Sequence, residues 1–326
     1  MDTGSHLIFG LTLAGLAWND PAVSSDPNLA LAVGTAAVLG SNAPDADGIA
    51  RLRGRSFYVR HHRGWSHAWP SWFAWAALIA VPVSLIFGVP EHAGKVYGWT
   101  FAAVALHVLL DALNAYGVQC LRPFSRRWVH LDALPLFDPV IAAVHLAGLA
   151  GWIFGLPPGP VFAGVYAATF GYAGVRWAVT AWLQRRVPAH IGLAGRCMIV
   201  PGLWLRRWQF VIETDRAYVT GHAILTRSGR PAILVRERYE KSVGEDHEVI
   251  RSTLQTDGVR AFLGFAQYVY VRWAKSGDGY EVQWRDVRFW NDRELPFGVD
   301  VQLDRDLKVV RDRIGWNKRY WEAPYV

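Results

Sequence analysis

The sequence predicts an α-helical membrane domain of about six helices, followed by a small soluble α+β domain rich in strands. Three observations carry that expectation. Of 326 residues, 52% are hydrophobic while 19% are charged, a mixture that fits a membrane part joined to a soluble part. The long apolar runs all lie before residue 184. After Pro188 they give way to short segments of aromatic and β-branched residues. The expected domains are therefore 1–187 and 188–326.

Six helices are expected, at about 5–18, 29–43, 69–88, 96–118, 137–156 and 160–183. A membrane span needs roughly 20 apolar residues. Trp69–Gly88, Val96–Leu110 and Val140–Leu183 carry almost no charge, the last broken by Pro157-Pro158-Gly159-Pro160. The first two segments are shorter and are expected to pack, half-buried, on the longer ones. The N-terminus has no basic stretch, so no cleaved signal peptide is read.

The net charge is +7. In a membrane protein such a balance marks the cytoplasmic loops. With six helices, one side receives Arg51, Arg53, Arg55, Arg60, Arg63, Arg122, Arg126, Arg127, Arg185, Arg186 and Arg196. The other receives only Lys95. The arginine-rich side is expected to be cytoplasmic, with the C-terminal domain on it. Cys120 and Cys197 make no disulfide framework and no zinc-type spacing, and are read as reduced side chains.

In the C-terminal part, strands are expected at 208–213, 217–220, 232–235, 268–273, 280–284 and 299–303, with a helix over Asp246–Phe265. Turns are expected at Arg227–Pro231 and Ser276–Gly279. No glycine-rich phosphate loop, Cys/His zinc pattern or nucleophile elbow is present there. Its Trp and Arg residues are read first as core aromatics and solvated charges, ahead of a nucleic-acid surface.

The chemistry is concentrated before residue 118. Ionisable side chains in or beside a hydrocarbon slab are costly and point to function. His107 and Asp111 are four apart, so they share one helix face. An imidazole and a carboxylate so spaced can share a metal ion; a buried His–Asp packing pair is the plainer reading. Pro44 breaks helical geometry and frees Asp45 and Asp47 to face one centre. His61, His62 and His67 follow in a loop whose arginines suit anionic lipid. The expected topology brings His6, Asp45, Asp47, His62, His67, His107 and Asp111 to the cytoplasmic face. This nitrogen and oxygen set suits zinc, with manganese or iron as alternatives, and can hold more than one ion. Asp47, His62, Arg63 and Asn114 are the candidate catalytic residues, with arginine receiving a phosphate. No Ser or Cys nucleophile has a base beside it.

The sequence resembles the bacterial inner-membrane metal-dependent hydrolases of the LexA-binding type. The resemblance rests on His6, Pro44-Asp45-Ala46-Asp47, His62-Arg63-Gly64-Trp65-Ser66-His67, His107-x-x-x-Asp111-x-x-Asn114-x-x-Gly117 and Pro123-Phe124. It covers roughly the first 180 residues and implies a hydrolase of the bacterial inner membrane. In ligand order the chain is also similar to zinc-dependent phospholipase C and the P1-type nucleases. That similarity implies Asp45 or Asp47, His67, His107 and Asp111 around one zinc, with His6 and Asp111 at another. It departs in lacking a second His-x-x-x-Glu pair after Asp111, where Asp138 is the remaining candidate ligand.

Together these readings lead to a multi-pass inner-membrane phosphoesterase acting on a phospholipid or other amphiphilic phosphate at the cytoplasmic face. A metal or proton transporter, and a tethered regulatory protein with a structural metal, are the alternatives.

Overall fold

A computed structural model of the protein describes residues 1–241 and 247–316. The chain divides into two compact units. Among the described residues, the first takes Met1–Gly48 and His62–Ala178; the second takes Ile49–His61 and the chain from Val179 to Trp316.

The first unit is helical. Its helices are α1 (Thr3–Leu16), α2 (Pro21–Ser25), α3 (Pro27–Gly40), α5 (Trp69–Ile86), α6 (Ala93–Ala112), α7 (Pro139–Ile153) and the first part of α8 (Pro158–Ile191). The short α4 (Arg55–His61) lies in the second unit. Aspartates start four of them. Asp2, Asp20, Asp26 and Asp138 each accept backbone N–H bonds at the N-termini of α1, α2, α3 and α7. Pro follows three of these caps, where its missing N–H costs nothing. Asp138 also accepts from the Tyr172 hydroxyl at 3.0 Å, so it is a helix cap and not a metal ligand.

The six expected helices are all present. The fourth is shorter than expected: α6 stops at Ala112, because the Asn114 side chain takes the Tyr116 N–H and Gly117 turns with φ +74°. α8 instead continues past 183 to Ile191.

The core of this unit combines large side chains, Phe9, Leu29, Leu110 and Phe162 among them, with many small ones. Small residues are inside: Ala32, Ala36 and Ala37 of α3, Ala76 and Ala80 of α5, and Ala103 of α6 are all buried. Large apolar side chains face outward, including Leu31 on α3, Leu78, Leu85 and Ile86 on α5, and Ile153 on α7. Helices in lipid associate through small residues that let backbones approach, since hydrocarbon already solvates Leu and Ile. Gly10 on α1 is one such contact. A Cβ there would lie 2.3 Å from the Ser41 hydroxyl. Among the described residues two helical segments, Trp69–Ile86 and Pro90–Ala112, are long and apolar enough to cross a membrane.

The second unit holds two four-stranded antiparallel sheets. One runs β1 (Arg196–Pro201), β2 (Arg207–Glu213), β3 (Ala217–Leu225), β4 (Pro231–Glu240) in sequence order. The other runs β5 (Val269–Ser276), β6 (Gly279–Asp286), β7 (Phe297–Leu303), β8 (Val309–Trp316). The end of α8 packs on the first sheet, where Leu183 and Val187 meet Trp208, Phe210 and Ile212. All six expected strands appear; β1 and β8 are additional. The expected helix over 246–265 is two short ones, α9 (Glu248–Thr253) and α10 (Asp257–Leu263), and Asp246 itself lies outside the described residues. Thr256 causes the break, since its hydroxyl caps α10 at Val259 N. In the second sheet Arg288 and Asp286 form a fully buried ion pair, with Arg288 also donating to the Phe265 carbonyl.

Candidate metal centre

Four side chains of the first unit converge on one point. Asp45 comes from the 3₁₀ segment after α3, His67 from the turn before α5, and His107 and Asp111 from successive turns of α6. His67 Nε2 and His107 Nε2 lie 3.2 Å apart. Asp45 Oδ1 is 3.6 Å from each of these nitrogens. Asp111 Oδ2 is 3.3 Å from His67 Nε2 and 3.7 Å from His107 Nε2. An ion bonded to N and O ligands at about 2.0–2.1 Å in a tetrahedron has ligand-to-ligand edges of about 3.3 Å. The observed separations match those edges.

The hydrogen bonds behind the cluster aim its lone pairs inward. His107 Nδ1 is 2.7 Å from the Ser41 carbonyl, which can only accept, so the proton sits on Nδ1 and Nε2 carries the lone pair. The Ser66 hydroxyl donates to Asp47 Oδ2 at 2.5 Å. Its oxygen therefore accepts from His67 Nδ1 at 2.8 Å, leaving His67 Nε2 to face the centre. Asp45 Oδ1 and Asp111 Oδ2 are buried and have no hydrogen-bond partner among the described residues. Two imidazole lone pairs and two bare carboxylate oxygens at such range repel one another unless a cation lies between them. The residues present fit a divalent metal ion.

A second group lies beside the first. Asp45, Asp47 and His62 also bring ligand atoms within reach of one ion. His62 Nδ1 is 2.7 Å from Asp47 Oδ1, and the Arg63 backbone N–H donates to Asp47 Oδ2 at 3.0 Å. Arg63 has φ +58°, a left-handed conformation uncommon outside glycine. That reversal lets the backbone bind Asp47 while the side chain reaches Asp111.

The Arg63 side chain is buried and committed. It donates to Asp111 Oδ1 at 2.8 Å and to Asn114 Oδ1 at 3.2 Å. It therefore braces a ligand carboxylate and is not free to receive a phosphate. Asn114 keeps a buried Nδ2 with no partner among the described residues. His6 is buried, stacked on His107 at 3.7 Å between ring centroids, with Nε2 3.4 Å from Asp111 Oδ1. It touches the far oxygen of Asp111 and does not belong to either converging group. The Met1 amino group binds the same oxygen.

Asp45 and Asp47 both reach the site, while of the adjacent His61 and His62 only His62 belongs to a converging group. His61 ends α4 with Nδ1 on the Phe57 carbonyl. His145 makes a separate buried network with Thr12 and Thr169. Ser66 and the Ser41 carbonyl escape sequence reasoning. Nothing in residue type marks a serine or a backbone oxygen as the group that fixes a tautomer. Replacing Ser66 with alanine is expected to weaken metal binding by roughly 10–100-fold without removing it, as loss of an outer-shell partner does; titration of metal-stripped protein with zinc checks this.

The electrostatics of the loop residues set a pH dependence. Burial disfavours charge on Asp45, but the facing His107 and His67 rings hold its carboxyl well below the usual range. Burial likewise opposes charge on Asp47, and the His62 contact outweighs it. Burial lowers His62 in spite of Asp47. Burial also acts to lower His67, but the Asp111 and Asp45 carboxylates prevail and raise it above 6.5. Protonated His67 thus stabilises the metal-free fold below pH 6.5, and that contribution is lost as pH rises through the raised value. A metal must displace that proton, so affinity is expected to fall by roughly tenfold per pH unit below the raised value. Zinc titrations from pH 5.5 to 8.5 read this directly.

Residues 1–183 match the family described as YdjM inner membrane protein. Residues 248–322 match the YfhP C-terminal alpha/beta plait domain. The chain is 34% identical over 319 residues to "Uncharacterized protein YfhP" of Bacillus subtilis (strain 168), covering 97% of this chain and 95% of that protein. No solved structure matches it.

Proposed function

Because the chain belongs to the YdjM inner membrane protein family, we propose that it is a membrane-embedded metal-dependent hydrolase, a phosphoesterase acting on a lipid or other amphiphilic phosphate at the cytoplasmic face. The observation that carries this reading is the convergence of Asp45 Oδ1, His67 Nε2, His107 Nε2 and Asp111 Oδ2 on one centre, with Asp47 and His62 alongside. The arginine asymmetry of the loops supports the cytoplasmic side and a multi-pass topology. Zinc is the ion that this ligand set suits best.

A divalent ion held there would supply Lewis acidity and lower the pKa of a bound water. The chain's own residues do the rest. With one ion at the first group, His62, oriented through Nδ1 by Asp47 and depressed by burial, is neutral near pH 7 and able to accept a proton; a second ion would take it as a ligand instead. Arg63 holds Asp111 in place. Asn114 Nδ2 offers a donor for developing negative charge.

A second reading, a tethered regulatory protein with a structural metal, draws on one fact. Four protein ligands close a tetrahedron, as structural zinc sites do. Asp45 belongs to both ligand groups, and two ions sharing it would leave positions for substrate. The test is a screen of zinc-loaded protein in mixed micelles against phosphatidate, phosphatidylglycerophosphate and a soluble aryl phosphate. Phosphate release that His62→Ala abolishes while metal content stays within about twofold supports the hydrolase. Full metal loading with no release from any phosphoester favours the structural metal.

A further inference from the structure

The end of the first sheet that carries the β1–β2 and β3–β4 turns has an unusual surface. Tight turns normally take Gly, Pro, Asn, Asp or Ser. The β1–β2 turn instead presents Leu203, Trp204 and Leu205, exposed by 50%, 74% and 50%. It is the only run of three exposed large apolar residues among the described residues of the second unit. The turn is ordered by backbone bonds, Gly202 N to the Arg207 carbonyl at 3.1 Å and Arg207 N to the Trp204 carbonyl at 3.1 Å. The three apolar side chains stay exposed on this ordered turn.

The charged residues of the two turns themselves are of one sign. Arg206 and Arg207 follow the apolar tip, and Arg227 and Arg230 occupy the neighbouring β3–β4 turn. The two turns are tied together, since Arg206 donates to the Thr226 carbonyl and accepts from Leu225 N. No Asp or Glu occurs in residues 196–212 or 217–236; Glu213 and Asp215 sit at the opposite end of the strands, and Asp292 acts on His222, which Arg207 contacts at 2.9 Å. A tryptophan flanked by leucines and ringed by arginines matches the layered chemistry of a bilayer interface. The indole and leucines enter the acyl boundary, and the guanidinium groups meet anionic head groups.

We propose that this hairpin end is a membrane-binding wedge that docks the second unit onto the anionic leaflet of the bilayer in which the first unit sits. The proposal uses the family's membrane placement but not the hydrolase reading, and it stands if the metal centre has another role. A nucleic acid would share the charge complementarity; it would not select a solid apolar tip over stacking rings spaced along a groove.

The full chain can be probed site by site. Cys197 is buried and its thiol is pushed up to about 12 by that burial, so it stays unlabelled; Cys120 is replaced by serine. An environment-sensitive fluorophore is then attached to Trp204→Cys or, as a control, to Asp215→Cys, each at an exposed position. Each protein is reconstituted into phosphatidylcholine vesicles with and without phosphatidylglycerol, with nitroxide-bearing lipids as quenchers. The probe at 204 is expected to be quenched by lipid nitroxides, more strongly with phosphatidylglycerol and less at high salt, while the probe at 215 is not. Equal quenching at both positions, or none at 204, overturns the proposal. So does a response at 204 to added single-stranded RNA that lipid does not produce.

Discussion

Replacing Asp111 with asparagine is expected to destabilise the protein by about 3–5 kcal/mol, because it strips a buried cation of its counter-ion. Asp111 is fully buried and takes the Arg63 guanidinium at 2.8 Å. Without the carboxylate, Arg63 is left charged and desolvated beside His6 and the Met1 amino group. Arg63→Met alone should be less damaging, since Asp111 keeps the Met1 amino group. The double replacement Asp111→Leu with Arg63→Met removes the ion pair and should recover part of the lost stability, the buried Met1 amino group being left without its carboxylate. It should not recover metal binding, because the oxygen at the centre is gone. Thermal unfolding in detergent, read beside metal content, separates the two roles. Equal metal loading in Asp111→Asn and native protein would show that this carboxylate serves packing alone.

The second large effect is expected from the metal itself. A ligand that binds only the folded state adds about 2.7 kcal/mol at a hundred times its Kd. Stripping native protein with a chelator should therefore lower its melting temperature, and zinc should restore it. His107→Ala with His67→Ala should already melt near the stripped protein and respond to neither reagent. The chelator effect should grow as pH rises, because metal-free protein loses the contribution of protonated His67 through its raised pKa. A chelator shift of equal size in native and double-variant protein would mean that the stabilising ion sits elsewhere.

Much of the fold was legible because the two halves use different periodicities. The apolar runs exceed what a buried soluble helix needs, and the strands carry β-branched and aromatic alternation. The misses have local causes. Asn114 was counted on the fourth helix, yet its side chain captures the Tyr116 N–H and the helix ends two residues earlier. β8 is absent from the expected strands because Arg311, Asp312 and Arg313 hide the apolar pattern; they mark an edge strand protected by charge. The metal cluster was legible as residue types: Asp45, His67, His107 and Asp111 each belong to a quoted string. Its geometry was not. Whether His6 or Arg63 coordinates, braces or receives a substrate depends on hydrogen bonds that close across more than forty residues of sequence. The bonds to Ser66 and the Ser41 carbonyl are equally invisible in the sequence, and they decide which ring nitrogen faces the centre.

The most direct measurement is the transition-metal content of detergent-purified protein, determined by elemental mass spectrometry against protein concentration from amino-acid analysis. Native protein is expected to carry about one ion per chain, or about two if Asp45, Asp47 and His62 hold a second. His107→Ala should fall to a small fraction of that while remaining folded by circular dichroism. Native protein exposed to zinc and washed, yet carrying no stoichiometric metal, would contradict the metal centre and every function built on it.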